Sequence, residues 1–297
     1  MNGILKRYLS ADGAVVCSVL DGTAMCAEME RIHKTSAVVT AALGRLSMAA
    51  SLIGYGLKDD GDTVTLRLDG GGPAGILVAV ADWHGNVKSY AEQPIVELPL
   101  NAKGKLDVAG AVGTDGTLFV IKDLGMKEPY AGQTALVSGE IAEDVTQYFA
   151  VSEQVPTACG LGVLVNPDLT VKFAGGYLIQ LLPGASEDTI AKVEGGIYAA
   201  PSVTSILRDD PDPAHMLQTV MSDFDLEILE TTPIEYRCYC SRERTERALL
   251  SLGSAELEDI LREQGGAKLT CQFCDRVHVF SGDELRAMIA ELKARGK

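Results

Sequence analysis

Cys238-Tyr239-Cys240 and Cys271-Gln272-Phe273-Cys274 set two pairs of thiols thirty residues apart in the last quarter of a 297-residue chain. Either pair alone is weak evidence of anything. Together they supply four soft ligands, the number that tetrahedral zinc takes. Each short pair can chelate one ion, and the intervening stretch is long enough to fold back and join them. Sulfur-only ligation selects a thiophilic metal, of which zinc is the default. Two structural disulfides of a secreted protein fit less well, because Cys17, Cys26 and Cys159 make the count odd. Four thiolates leave no coordination position open, so a structural site is expected rather than a hydrolytic one.

The spacing leaves a second use of the thiols open. If the metal leaves, each pair can close on itself, and a Cys238–Cys240 ring would be tight, strained and reducible. Arg237, Arg242 and Arg244 crowd the first pair and are expected to favour its thiolates. The cluster is therefore a zinc staple, or a switch in which oxidation ejects zinc and unfolds what zinc holds together. The cysteines alone do not choose between these. His278 is a possible but poor substitute ligand beside two complete thiol pairs.

Charge divides the chain. The net formal charge is −15, which argues against a general nucleic-acid binder. Residues 237–297 hold 11 Lys/Arg against 10 Asp/Glu, a net of +1, so residues 1–236 carry −16. Residues 185–236 alone hold 11 acids against Lys192 and Arg208, a net of −9. Such shifts mark domain boundaries. No run of eighteen apolar residues is present, so no membrane span is expected. Residues 1–10 carry Lys6 and Arg7 without an apolar secretory core. Cytoplasmic residence is the expectation.

Working back from the cysteines, the chain reads as three parts. Residues 1–184 predict an α+β core domain, 185–236 an acidic amphipathic linker, and 237–297 a small zinc-binding domain. In the first, 14–20 predicts a buried strand ended by Asp21-Gly22, with 23–30 as its hairpin partner. Residues 36–56, rich in Ala, Leu and Met, predict a central buried helix packed on a sheet. Strands follow at 63–68, 75–81, 87–90, 117–122 and 134–138, with Pro129-Tyr130 at the bend between the last two. Gly70-Gly71-Gly72 lacks the Gly-Lys-Ser/Thr of a phosphate loop and reads as a hairpin turn. A helix is expected at 139–151, with Glu140, Glu143 and Asp144 in its first turn. These and Glu153 read as a solvated helix start rather than catalytic carboxylates. Apolar strands are expected at 159–165 and 171–182. Cys17, Cys26 and Cys159 read as buried thiols.

The linker is broken by Gly195-Gly196, Pro201, Pro211 and Pro213. Helices are expected near 186–194 and 214–222, with Ile190, Val193, Ile197, Tyr198, Met216, Leu217, Val220 and Met221 as their docking residues. In the last part, Ser241 caps a helix over 242–252 and Ser254 one over 255–264. Residues 268–271 and 277–280 form a hairpin around the second knuckle, and Ser281-Gly-Asp-Glu284 starts the last helix. About 60 residues scarcely bury enough surface to be secure alone, so metal loss is expected to melt this part.

At this point the sequence resembles the redox-regulated heat shock protein 33 chaperones, over nearly the whole chain. The resemblance rests on Glu235-Tyr-Arg-Cys-Tyr-Cys-Ser-Arg-Glu-Arg244 and Cys271-Gln-Phe-Cys274. It rests also on Gly139-Glu-Ile-Ala-Glu-Asp144, Ser152-Glu-Gln-Val-Pro-Thr157 and Ala174-Gly-Gly-Tyr-Leu-Ile-Gln-Leu-Leu-Pro183. It implies an ATP-independent holdase, not an enzyme, inactive when reduced and holding one zinc through Cys238, Cys240, Cys271 and Cys274. It implies that oxidants with unfolding conditions convert these to Cys238–Cys240 and Cys271–Cys274 disulfides and release zinc. The zinc domain and linker then unfold, expose apolar surface to unfolding client proteins, and the active form is a homodimer. No nucleic acid, membrane or nucleotide partner is implied. Two rivals remain in view. A zinc-knuckle nucleic-acid or translation factor would need a basic zinc domain, against the observed +1. A zinc or thiol enzyme would need an open metal position or a Cys–His pair.

Overall fold

The structure, a computed structural model, describes residues 2–294. Its elements in chain order begin with β1 (Gly3–Ser10), β2 (Val15–Asp21), α1 (Thr23–His33) and α2 (Ala37–Gly54). There follow β3 (Thr63–Asp69), β4 (Leu77–Asp82), β5 (Val87–Ala91), α3 (Val108–Val112), β6 (Thr117–Asp123) and β7 (Tyr130–Ala135). Next come α4 (Ala142–Tyr148), β8 (Thr157–Val165), β9 (Val171–Leu181), α5 (Glu187–Ala199), α6 (Val203–Asp209), α7 (Pro213–Val220) and β10 (Leu226–Ile234). The last are α8 (Arg242–Leu252), α9 (Ser254–Gln264), β11 (Gly266–Thr270), β12 (Val277–Ser281) and α10 (Gly282–Ala294). By their contacts these fall into two units, Met1–Arg237 and Cys238–Lys297. The architecture is α+β, as a chain dominated by hairpin-paired strands predicts.

The first unit is built on two antiparallel five-stranded sheets, in the orders β10-β1-β2-β9-β8 and β5-β4-β3-β6-β7. Helix α2 packs against both, and nearly every side chain along it is buried. By length and composition it would pass as a membrane span, yet 89% of it lies inside the protein. Its smallness explains this position: Gly54 sits where a Cβ would come within 2.7 Å of Asp82 O, so the helix end lies directly on the sheet. The Gly70–Gly72 turn does join two hairpin-paired strands, β3 and β4. It also presses on the backbone of residues 112–113, where a Cβ on Gly72 would meet Val112 C at 2.4 Å.

Several elements depart from the sequence expectations. Residues 23–30 are not a strand but most of α1. Asp21 Oδ1 accepts the Thr23 N–H at 2.9 Å, and the helix buries Met25, Cys26 and Met29 on the sheet. Strand β7 begins at Tyr130 and ends at Ala135, so Pro129-Tyr130 opens that strand rather than bending before it. The helix expected at 139–151 is a seven-residue α4 continued by a π-helical turn, Phe149–Glu153. Strands β1 and β10 and helices α3 and α6 carry no strong local signal in the sequence.

Residues 185–236 pack within the first unit. Helices α5, α6 and α7 bury Val193, Val203, Ile206, Leu207, Met216, Leu217 and Val220. These meet Val15, Cys17, Val19, Tyr177 and Ile179 on the sheet face opposite α2. Tyr198, expected to dock, is instead 94% exposed. Strand β10 then adds to β1 as an outer strand with most of its side chains exposed. The second unit has its own small core, in which Leu249, Leu257, Phe280, Leu285 and Met288 are buried.

Candidate metal centre

The second pair of cysteines belongs to the turn of the β11–β12 hairpin. The Cys271 N–H donates to Arg276 O at 2.9 Å and the Asp275 N–H to Cys271 O at 2.9 Å. Asp275 takes a positive φ of 56°, which short acidic side chains tolerate. The chain therefore doubles back sharply and presents Cys271 and Cys274 together. The first pair lies in the extended segment leading into α8, whose Ser241 cap accepts the Arg244 N–H on Oγ at 3.2 Å. Arg242 leaves that helix to bind Val279 O at 2.7 Å and Glu284, and its guanidinium lies 4.3 Å from the Phe280 ring centre. This ties the start of α8 to β12 and α10, and so the first pair to the second.

The result is a cluster of four sulfurs. Cys238 Sγ and Cys271 Sγ are 3.7 Å apart, Cys240 Sγ and Cys274 Sγ 3.3 Å, and all four lie within 4.8 Å of one another. A tetrahedral thiolate site with metal–sulfur bonds of about 2.3 Å has sulfurs about 3.8 Å apart. The four cysteines could hold one metal ion. All are half-buried, which limits access without closing it. Burial and the neighbouring thiols push Cys238 and Cys240 up from the ordinary thiol range. Burial also opposes ionisation of Cys271, but hydrogen bonds from the Phe273 backbone and from the Cys238 and Cys274 thiols outweigh it and hold Cys271 low.

The arginine expectation needs correction. Arg237 pairs with Glu235 at 3.0 Å and Arg242 with Glu284 at 2.5 Å, while Arg244 is exposed. What moves the Cys238, Cys240 and Cys271 thiols is burial first, and then the other thiols and backbone N–H groups. His278 lies outside the cluster, in β12, where its Nε2 is buried without a partner among the described residues. Burial pushes Cys17, Cys26 and Cys159 up to about 12, as expected of thiols that pack rather than react.

The acids of 139–153 are not simply a solvated helix start. Asp144 is fully buried. Its carboxylate accepts the N–H groups of Val137 (2.7 Å), Ser138 (3.1 Å), Gly139 (3.4 Å) and Ile141 (2.9 Å). This holds Ile141 at a φ of 75°, a costly conformation for a β-branched residue. Glu153 accepts from Lys122 Nζ at 2.7 Å and from the Tyr148 hydroxyl. Glu140 pairs with Arg45 of α2. Only Glu143 remains a solvent-facing first-turn acid. Nothing in the sequence separates these four roles, because each depends on which distant segment lies opposite.

With the cluster and fold in view, comparison with known proteins is decisive. The family model described as Hsp33 protein matches residues 4–281. The chain belongs to the Hsp33 family. The 33 kDa chaperonin of Acetivibrio thermocellus is 42% identical over 295 residues, covering 99% of both chains. That of Agathobacter rectalis is 45% identical over 288 residues, covering 97% of this chain and all of its own. The crystal structure of the 33 kDa chaperonin (heat shock protein 33 homologue) of Thermotoga maritima matches with a TM-score of 0.90 at 37% identity, covering 99% of this chain and 100% of that one. The Hsp33 chains are a chaperone family, so the two-sheet core and four-cysteine unit described above are the parts of a chaperone.

Proposed function

We propose that this chain is a redox-switched, ATP-independent holdase of the bacterial cytoplasm. Cys238, Cys240, Cys271 and Cys274 hold one zinc ion in the reduced state, when the chain is inactive. Zinc there supplies a crosslink between the two knuckles, worth roughly 10 kcal/mol or more of folding free energy. Oxidation, with heat or another unfolding stress, closes Cys238–Cys240 and Cys271–Cys274 and releases the ion. The unit from Cys238 onward then loses the crosslink that its small core needs. Residues 185–236, the linker, follow it into an unfolded state. Their apolar helices leave the sheet face of Val15, Val19, Tyr177 and Ile179, which becomes available to unfolding client proteins. The active form is a homodimer, and the function is protective binding rather than catalysis.

The observation that carries this reading is the sulfur cluster, four thiols within 4.8 Å in a 60-residue unit with only a small core. The family membership supports it. The test follows zinc release by a colorimetric chelator and suppression of aggregation of a thermally unfolding enzyme in the same peroxide-treated, mildly warmed samples. Release and holding activity should appear together and be reversed by a thiol reductant. Zinc that stays bound, or that leaves without any gain in holding, would reduce the cluster to a staple. Hydrogen exchange adds a second check: protection of 185–236 should fall on oxidation, and unchanged protection alongside full activity sinks the linker's part.

A further inference from the structure

Strand β10 is weakly held along most of its length. Its side chains from Glu227 to Thr231 are exposed, and its two buried ones, Thr232 and Ile234, lie at its far end. The chain does not leave the core there. Residues 235–237 cross from the first sheet to the second and lie along β5, with Tyr236 bridged in parallel to Val87. The Val87 N–H donates to Glu235 O at 3.0 Å and the Arg237 N–H to Val87 O at 2.7 Å, while Asn86 Oδ1 accepts the Glu235 N–H at 3.1 Å. Cys238, the first thiol of the first knuckle, is the next residue.

The Tyr236 side chain fastens this crossing. Its hydroxyl donates to Ser89 O at 2.7 Å, which spends its one proton. The oxygen is left to accept the Ser89 N–H at 3.1 Å and the His33 Nε2–H at 3.1 Å. Ser89 is fully buried, and Ser47 of α2 donates to its Oγ at 2.8 Å. Val87 and Ser89, two residues apart in β5, turn their backbone groups the same way, toward 235–237. One hydroxyl from far along the chain thus serves both backbone groups of a buried residue. Without it, those groups lose that partner for as long as the crossing stays in place, whereas water serves them once it lifts. The cost of losing the hydroxyl therefore falls on the fastened state alone.

We propose that Tyr236 is a latch on the linker: its hydroxyl holds 235–237 on β5, the crossing keeps β10 on β1, and β10 leaves the core only after the latch opens. Zinc loss frees the chain beyond Cys238, and the latch sets how much warming the linker then resists. This rests on reading the chain as a redox-switched holdase. The experiment compares the full, reduced, zinc-loaded chain with its Tyr236→Phe, His33→Phe and doubly substituted forms by hydrogen exchange. Tyr236→Phe keeps the ring and removes only the hydroxyl. In it the amides of β10 and of 235–237 should exchange roughly tenfold faster, with those of β3 and β6 and the zinc content unchanged. His33→Phe should give a smaller rise, and the double form should match Tyr236→Phe alone, because both act through one hydroxyl. After peroxide, holding of a thermally unfolding enzyme should begin at a lower temperature in Tyr236→Phe than in the parent. Unchanged exchange over Leu226–Ile234, or additive effects of the two substitutions, overturns the latch. So does faster exchange of β10 with holding that begins at the parent's temperature. The exchange measurement needs no oxidant and so stands apart from the holdase reading. Faster exchange of β10 in a chain that never holds clients, parent included, keeps the latch and removes the holdase, and holding by the parent with unchanged exchange in Tyr236→Phe does the reverse.

Discussion

Asp144 shows how much one side chain can organise. Four backbone N–H groups converge on its carboxylate, and all four would lose their acceptor in Asp144→Ala. Each buried N–H left open costs about 1–3 kcal/mol, and Ile141 would no longer be held at positive φ. We expect Asp144→Ala to lower stability of the first unit by about 3 kcal/mol or more in urea unfolding. Glu153 offers a pH test. Burial works against its charge, but Lys122 and the Tyr148 hydroxyl outweigh it and hold the carboxyl below the usual glutamate range. Its folded value lies under its unfolded one, so its contribution is complete above about pH 4.3 and is lost as pH falls through the folded value. Glu153→Gln should therefore destabilise by about 1–3 kcal/mol at neutral pH, and the gap to the parent should close in acid. A gap that stays constant down to pH 3 would show that charge plays no part.

Among the elements, β8 and α6 are coupled through one glycine. A Cβ on Gly162 would meet Val203 Cγ1 at 2.8 Å and Thr204 N at 3.0 Å, so α6 can lie on the strand only because that side chain is absent. Gly162→Val should push α6 from the sheet, raise protease cleavage near 200–210 and leave the first unit folded. Cleavage identical to the parent would mean that the helix end accommodates the branch. The same scale explains the misread elements. The pattern of 23–30 fits a strand or a helix, and only the sheet beneath it favours the face bearing Met25, Cys26 and Met29. Strand β10, with five consecutive exposed residues, has almost no apolar alternation to betray it; it forms because β1 offers an open edge. Helices α2, α8 and α9 were legible because strong apolar content, the Ser241 cap or a glycine stop is local, although Ser254 opens α9 rather than capping it.

For the whole molecule, the expectation is that metal removal acts on one unit. Chelation under reducing conditions should abolish the cooperative unfolding of residues from Cys238 onward and leave a transition for the two-sheet core, readable by calorimetry. A single transition shifted as a whole would show that the units unfold together. The sequence by itself determined the four-cysteine set, the charge shift near residue 237, the α+β class and the family resemblance. Each is written in residue type and spacing, which need no knowledge of distant contacts. Only the tertiary structure decided that residues 185–236 bury a second core on the sheet and close it with an outer strand. It also decided that Arg237 and Arg242, beside the first knuckle, pair with Glu235 and Glu284. These depend on which segments far apart in the chain come to lie opposite one another. Local propensity does not encode that; the burial of two sheets around one apolar helix imposes it.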